Sequence, residues 1–231
     1  MWRLCRWPSA SLFIRRAIDG SIVFTHGFEI EGQLIFHWIC EQALDIDVVT
    51  LDTGRLFPET YTLWAETERH YGRRIRAIYP NGAVLERLVA RQGIDGIYES
   101  KQARLACCEV RKSKPLDRAL AGAAAWISGL RADQNSNRRD AGLVGFNGSR
   151  GLLKFNPLYD WTRDATTFRS MPCMPRASFR SAARPARARS VRAKPSVAGA
   201  GGGSRMAPRS AAASAEKRRR LNSKLHRAGT S

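Results

Sequence analysis

Residues 46–60 read Ile46-Asp47-Val48-Val49-Thr50-Leu51-Asp52-Thr53-Gly54-Arg55-Leu56-Phe57-Pro58-Glu59-Thr60. The first six form a β-rich run of strand length. Asp52-Thr53-Gly54 then breaks the run with turn-forming residues. Pro58 stands where a helix tolerates proline, in its first turn. Glu59 places negative charge near the positive end of that helix's dipole. The stretch therefore predicts strand, loop and helix in succession, the helix covering Pro58–Tyr71.

Working outward, the same unit recurs. Ser21–Thr25 precedes it as a compact β-rich run, and Arg74–Tyr79 follows it. The three starts lie 25 and 28 residues apart, the length of one strand plus its crossover helix. Ala125–Leu130 reads as a fourth buried strand. Helical spacing of apolar residues appears over Gln33–Leu44, Ala83–Arg91 and Leu116–Ala124. Alternating strands and helices predict an α/β fold, a parallel sheet covered by helices on both faces. In such sheets ligands bind outside the carboxyl ends of the strands.

Two loops fall at those ends. Thr25-His26-Gly27-Phe28-Glu29 follows the first strand, and Asp52-Thr53-Gly54-Arg55 follows the second. A threonine hydroxyl, a glycine that admits close approach and an arginine suit a phosphate or ribose. On these residues alone, an ordinary turn stands ahead of the site reading.

Cys107-Cys108 is less ordinary. In a helix adjacent side chains diverge by about 100°, so two thiols reach one cluster only if the backbone bends. Arg104, Arg111, Lys112 and Lys114 surround the pair and favour thiolates or a bound anion. Taken alone, two buried small hydrophobes in a helix is the simpler reading.

The charge is segregated. Of the net +19, residues 1–165 contribute +4, with 23 Lys and Arg against 19 Asp and Glu. Residues 166–231 contribute +15, with 16 basic residues against Glu216 alone. That tail is mostly Arg, Ala, Ser, Gly and Pro, which cannot bury enough apolar surface to offset ordering, so disorder is expected. The composition divides the chain into an α/β domain over 1–165 and a basic tail over 166–231. Stacking aromatics are nearly absent from the tail, which argues against specific nucleic-acid recognition and leaves nonspecific polyanion binding. No apolar run is long enough to cross a bilayer. The run Leu12–Ile14 is too short for a secretory signal, so residues 1–16 read as a ragged first helix. Cys5, Cys40, Cys107, Cys108 and Cys173 are odd in number and two are adjacent. That pattern argues for a reducing compartment and a cytoplasmic location.

Four segments, in order, resemble the sulfonucleotide reductases, the adenylyl-sulfate and phosphoadenylyl-sulfate reductase family. They are Val49–Thr60, Cys107–Leu116 (the family's Cys-Cys-x-x-Arg-Lys-x-x-Pro-Leu), Ala125–Gln134 (Trp-Ile-Thr-Gly-x-Arg) and Lys154–Thr162 (Lys-x-Asn-Pro-Leu-x-Asp-Trp-Thr). The first loop departs, because the family's Ser-Phe-Gly or Ser-Leu-Gly would place its serine at His26. The resemblance implies a Rossmann-like fold of the adenine-nucleotide alpha-hydrolase type. It implies reduction of adenylyl sulfate, or of its 3′-phosphorylated form, to sulfite. A cysteine in a C-terminal Glu-Cys-Gly-Leu-His attacks the sulfur, AMP leaves, and thioredoxin or glutaredoxin releases sulfite from the S-sulfocysteine. It also implies a 4Fe-4S cluster on Cys107, Cys108 and a distant Cys-x-x-Cys, the mark of members that prefer adenylyl sulfate. Thr25, Thr53, Gly54, Arg55, Lys112 and Arg131 are the expected substrate-binding residues, with Lys112 and Arg131 facing the phosphate and sulfate oxygens.

The resemblance stops near Asp164. Neither Cys-x-x-Cys nor Glu-Cys-Gly-Leu-His follows, so two cluster ligands and the nucleophile are missing. The tail reads as the family's C-terminal region translated out of frame. The family's Ile-Gly-Cys-Ala-Pro-Cys-Thr-Arg-Ala, in codons ATC GGC TGC GCG CCC TGC ACG CGC GCC, yields Ser-Ala-Ala-Arg-Pro-Ala-Arg-Ala from the second base. That is Ser181–Ala188. Three tryptophan codons shifted alike become Gly-Gly-Gly, which stands at Gly201–Gly203, and Asn-Ala-Leu-His becomes Met171-Pro172-Cys173-Met174. The alternative is a catalytically dead nucleotide-binding domain whose basic tail binds polyanions.

Overall fold

The computed structural model describes residue 15 and residues 17–134 and 141–170, with side chains up to residue 166. The first helix expected over 1–16, Arg15 aside, and the tail from 171 onward lie outside the described residues. All described residues fall within the unit Met1–Arg184.

Six strands form one sheet: β1 (Ile22–Thr25), β2 (Asp47–Leu51), β3 (Arg76–Ile78), β4 (Ala125–Ser128), β5 (Val144–Asn147) and β6 (Leu152–Phe155). Their order is β3-β2-β1-β4-β6-β5. Every pairing is parallel except β5 with β6. The sheet is thus mostly parallel rather than wholly so. The exception is an edge hairpin, where a short turn at residues 148–151 makes antiparallel pairing the accessible arrangement.

Helices α1 (Ile30–Glu41), α2 (Pro58–Tyr71) and α3 (Gly82–Gln92) follow the first three strands. α1 begins and ends three residues earlier than its apolar spacing suggested. Between β3 and β4, the chain forms one continuous helical segment: α4 (Lys101–Cys108), a π-helical turn (Glu109–Ser113) and α5 (Lys114–Ala119). The expected helix over Leu116–Ala124 is its last part, and it ends at Ala119. A final helix, α6 (Arg163–Ser170), carries the chain past the division at 165 drawn from composition. Side chains cap the N-termini of α3 and α4. Asn81 accepts from the Val84 N–H at 3.1 Å and Ser100 from the Ala103 N–H at 3.0 Å, satisfying amides that lack intrahelical partners.

Both faces of the sheet are covered. Parallel register sets Val23, Val49, Trp126 and Leu152 on one face, where they pack with Leu116, Ala119 and Leu120 of the α5 region. The alternate residues Ile22, Phe24, Val48 and Ile127 face the other way and are buried with Leu34, Ile35, Phe36 and Ile39 of α1. Gln33 of α1 donates to Thr67 of α2 at 2.9 Å, and that hydroxyl donates to the Leu63 carbonyl at 2.7 Å. The pair satisfies two polar groups that burial would otherwise penalise.

His26 is the one titratable ring in this apolar layer that directly follows β1. It is 2% exposed and surrounded by the rings of Phe24, Phe28 and Phe36, with centroids 5.7, 4.5 and 5.4 Å away. Nδ1 accepts from the Phe28 N–H at 3.0 Å, so the ring proton resides on Nε2, which is buried without a partner. Burial pushes the His26 pKa down to about 3. The unfolded chain, with an ordinary value of about 6.5, therefore binds more protons as pH falls. The stability held above about pH 6.5 is lost as pH falls toward 3, at up to about 1.4 kcal/mol per pH unit. His26→Leu should flatten this acid limb in urea titrations between pH 6.5 and 4. An unchanged slope would assign the acid sensitivity to other groups.

Candidate functional site

The strand order reverses at β1, which lies between β2 and β4. The crevice outside the carboxyl ends of these strands is where an open α/β sheet binds ligands. The loops that meet there are 26–29 after β1, 52–57 after β2 and 129–134 after β4.

The β2 loop is built by its own side chains. Asp52, 5% exposed, accepts from the Gly54 N–H at 2.8 Å and from the Tyr61 hydroxyl at 2.9 Å. Burial and the Asp52 carboxylate together raise the Tyr61 pKa. Thr53 Oγ1 accepts from the Arg55 N–H at 3.2 Å. Gly54 has φ +68°, a conformation that costs a side-chain-bearing residue energy. The turn reading of Asp52-Thr53-Gly54 is therefore correct as geometry, and its place at the strand end keeps the site reading open.

Two of the expected substrate ligands make contacts within the fold. Arg55 donates to the Ile94 carbonyl and pairs with Asp95 at 3.2 Å. It ties its loop to the segment before α4. Thr25 Oγ1 accepts from Trp126 Nε1 at 2.9 Å, a cross-strand contact that aligns β1 with β4. Lys112 is exposed at the π turn.

Arg131 is buried at the end of β4, its side chain 5% exposed. Its nitrogens lie 3.2 Å from Glu31 and 3.0 Å from Asp133, off hydrogen-bond geometry, so these are ion pairs. Glu31 belongs to the first turn of α1 and also accepts from Gln134 at 3.2 Å. A Cβ at Gly129 would lie 3.0 Å from the Glu31 Cβ, so the β4 loop and α1 approach closely. In this arrangement Arg131 pins one loop of the crevice to α1 rather than facing open space.

Cys107 is buried and Cys108 exposed, at the end of α4 where the π turn begins. Such turns often mark functional positions, and this one supplies a local departure from α geometry beside the pair. Among the described residues, no group of three or more His, Cys, Asp or Glu is placed to hold a metal ion. A 4Fe-4S cluster takes four protein ligands. The described residues therefore do not by themselves form a cluster site.

Sequence reasoning missed Asp52, Tyr61, Glu31 and the internal role of Arg111. Arg111 is buried, donates from Nη1 to the Thr53 carbonyl at 2.6 Å, and has an Nε with no hydrogen-bond partner. In sequence it stands as one of four charges around the cysteines and as the arginine of the Cys-Cys-x-x-Arg-Lys segment. Asn156, inside a quoted segment, was also missed as a brace: it accepts from Ser128 at 2.8 Å and donates to the Gly142 carbonyl at 2.9 Å.

The model of the phosphoadenosine phosphosulfate reductase domain matches residues 21–167. The chain belongs to that family. It is 50% identical over 153 residues to a protein named adenosine 5′-phosphosulfate reductase from Sinorhizobium fredii, covering 66% of this chain and 60% of that protein. It is 45% identical over 147 residues to a protein of the same name from Allochromatium vinosum, covering 64% of this chain and 57% of that protein. The chain thus spans about three-fifths of the length of these relatives. The crystal structure of a phosphoadenylyl-sulfate reductase from Candida auris, a phosphate complex, shares the fold with a TM-score of 0.60 and 23% identity. It covers 73% of this chain and 80% of that one. No helix among the described residues is long and apolar enough to cross a membrane.

The ion-pair geometry predicts how Arg131 behaves. Arg131→Met leaves Glu31 buried beside α1 without its cation, and should cost about 3–5 kcal/mol of stability by urea denaturation. Adding Glu31→Gln should recover part of that loss. Additive losses would mean that the two groups are not coupled.

Proposed function

We propose that residues 21–167 are the substrate domain of an enzyme that reduces adenylyl sulfate to sulfite and AMP in sulfate assimilation. The observation that carries this reading is the set of four family segments, which fold around one crevice at the carboxyl ends of β1, β2 and β4. The relatives' name supports adenylyl sulfate over its 3′-phosphorylated form, as does the pair Cys107-Cys108. Thr53 and Gly54 line the nucleotide side, and Lys112 supplies an exposed cation for the anionic groups. Thr25, Arg55 and Arg131 shape the crevice through their contacts with Trp126, Ile94–Asp95 and Glu31. Charge-assisted contacts of the Lys112 kind contribute roughly 1.5–3 kcal/mol each.

The rest of the reaction lies in the region that the tail replaces. Cys107 and Cys108 are two of the four ligands of a 4Fe-4S cluster, and a Cys-x-x-Cys in the restored frame supplies the others. A cluster held there would act electrostatically, through its charge beside Lys112 and Arg111, rather than by passing electrons. The nucleophile is the cysteine of the out-of-frame Glu-Cys-Gly-Leu-His. Its thiolate displaces AMP from sulfur, and a thioredoxin or glutaredoxin thiolate then releases sulfite from the S-sulfocysteine. The 231-residue chain lacks that nucleophile. It acts as a nucleotide-binding domain without reductase activity, its tail attracting polyanions in a salt-dependent way.

Reading the DNA tests the frame directly: a one-base change before Met171 should restore Cys-x-x-Cys and a terminal Glu-Cys-Gly. The activity test compares both proteins at equal concentration for thioredoxin-dependent sulfite release. The restored protein should turn over and be brown, and the 231-residue chain should do neither. Turnover by the 231-residue chain would overturn the nucleophile assignment, with Cys173 the first residue to replace. A restored protein that is active yet colourless would overturn the cluster.

A further inference from the structure

The cysteine pair and the β2 loop are joined by two arginines that reach in opposite directions. From the helix side, Arg111 donates to the Thr53 carbonyl at 2.6 Å across 58 residues of sequence. A Cβ on Gly54 would sit 3.3 Å from the same guanidinium nitrogen, so Gly54 leaves the space that this contact occupies. From the loop side, Arg55 donates to the Ile94 carbonyl and pairs with Asp95 at 3.2 Å. Asp95 precedes the 3-10 turn Gly96–Tyr98, which leads into α4. The loop is therefore braced both before and after the helix that carries the thiols.

Arg111 follows Cys107 by four residues and Cys108 by three; Cys108 is exposed, whereas Arg111, like Cys107, is buried. Its own turn is the π turn that begins directly after Cys108. The backbone that carries those sulfurs runs without a break into the turn that aims Arg111. Its guanidinium is buried and holds a backbone carbonyl, so it passes displacement to the loop rather than to solvent.

We propose that Arg111 is a positioning residue that couples the state of the Cys107 and Cys108 thiols to the geometry of the Asp52–Arg55 loop. That this loop serves a nucleotide rests on the function proposed above, and the coupling itself does not. In that setting, whatever occupies the sulfurs tunes the nucleotide side of the crevice through one hydrogen bond to a main-chain carbonyl.

Hydrogen–deuterium exchange on the full 231-residue chain tests this without turnover. The amides of Gly54 and Arg55, bonded to Asp52 and Thr53 side chains, report the loop. Arg111→Met should raise their exchange about ten-fold while β1 and β2 keep theirs. Iodoacetamide serves as the thiol probe: each thiolate sulfur displaces iodide and forms a thioether. Alkylation should shift exchange of the same amides in the parent chain. It should not do so in Arg111→Met, nor in a Cys107→Ser, Cys108→Ser double variant. Unchanged loop exchange in Arg111→Met overturns the proposal. So does an alkylation shift that survives in Arg111→Met. If Arg111→Met fails to fold, Arg111→Lys is read by the same two criteria. AMP titration of the parent chain stands apart: no binding counts against the proposed function and leaves the exchange result intact.

Discussion

The parallel pairing of β1 with β2 on one side and β4 on the other is the constraint on which the molecule depends. Val23, Phe24 and Thr25 take partners on both edges, so the strand satisfies its backbone groups within the sheet. Because β2 and β4 lie on opposite sides of β1 and run parallel to it, their following loops leave at the same edge of the sheet. The opening between them is the crevice. Both faces beneath it are covered, one by the α5 region and one by α1, which leaves the edge as the place where polar groups gather, and there Asp52, Arg111 and Arg131 are buried and held by partners that offset their desolvation.

The strands and the first helices were legible because their signals are local. Ile46–Leu51 is a β-branched run closed by Asp-Thr-Gly, and Pro58 with Glu59 opens a helix; each lies within a few residues of the feature it specifies. The crossover between β3 and β4 was only partly legible. Residues 92–115 contain Gly93, Asp95 and Gly96, which read as loop, and Lys101–Cys108 carries too few apolar residues for its helix to announce itself. The antiparallel hairpin was missed because Val144–Asn147 carries Gly145 and Asn147 and is flanked by Gly142, Gly148 and Gly151, all of which read as turn.

At the site, residue types were legible and contacts were not. Arg55, Arg111 and Arg131 all look like anion ligands in sequence, because each lies in a basic or glycine-rich segment of a recognisable motif. Their partners are the Ile94 carbonyl, the Thr53 carbonyl and the Glu31 carboxylate, distant in sequence by 39, 58 and 100 residues. No local pattern encodes such pairs. They become visible only when the sheet places its carboxyl ends together.

The same contacts settle what the chain's positive charge means. A net of +19 invites a nucleic-acid reading, yet the arginines of the α/β domain are largely committed to the fold. Arg73 donates to the carbonyls of Leu44 and Ile46, Arg76 bridges to Asp47, Arg118 donates to the Tyr79 carbonyl, and Arg150 pairs with Asp117. Each ties one strand or helix to a neighbour, and a guanidinium held this way offers a passing phosphate only its remaining donors. With the domain near charge balance at +4, the excess of +15 resides in residues 166–231. The net charge is therefore a property of residues 166–231 and does not describe the α/β domain, where these guanidinium groups hold neighbouring elements together.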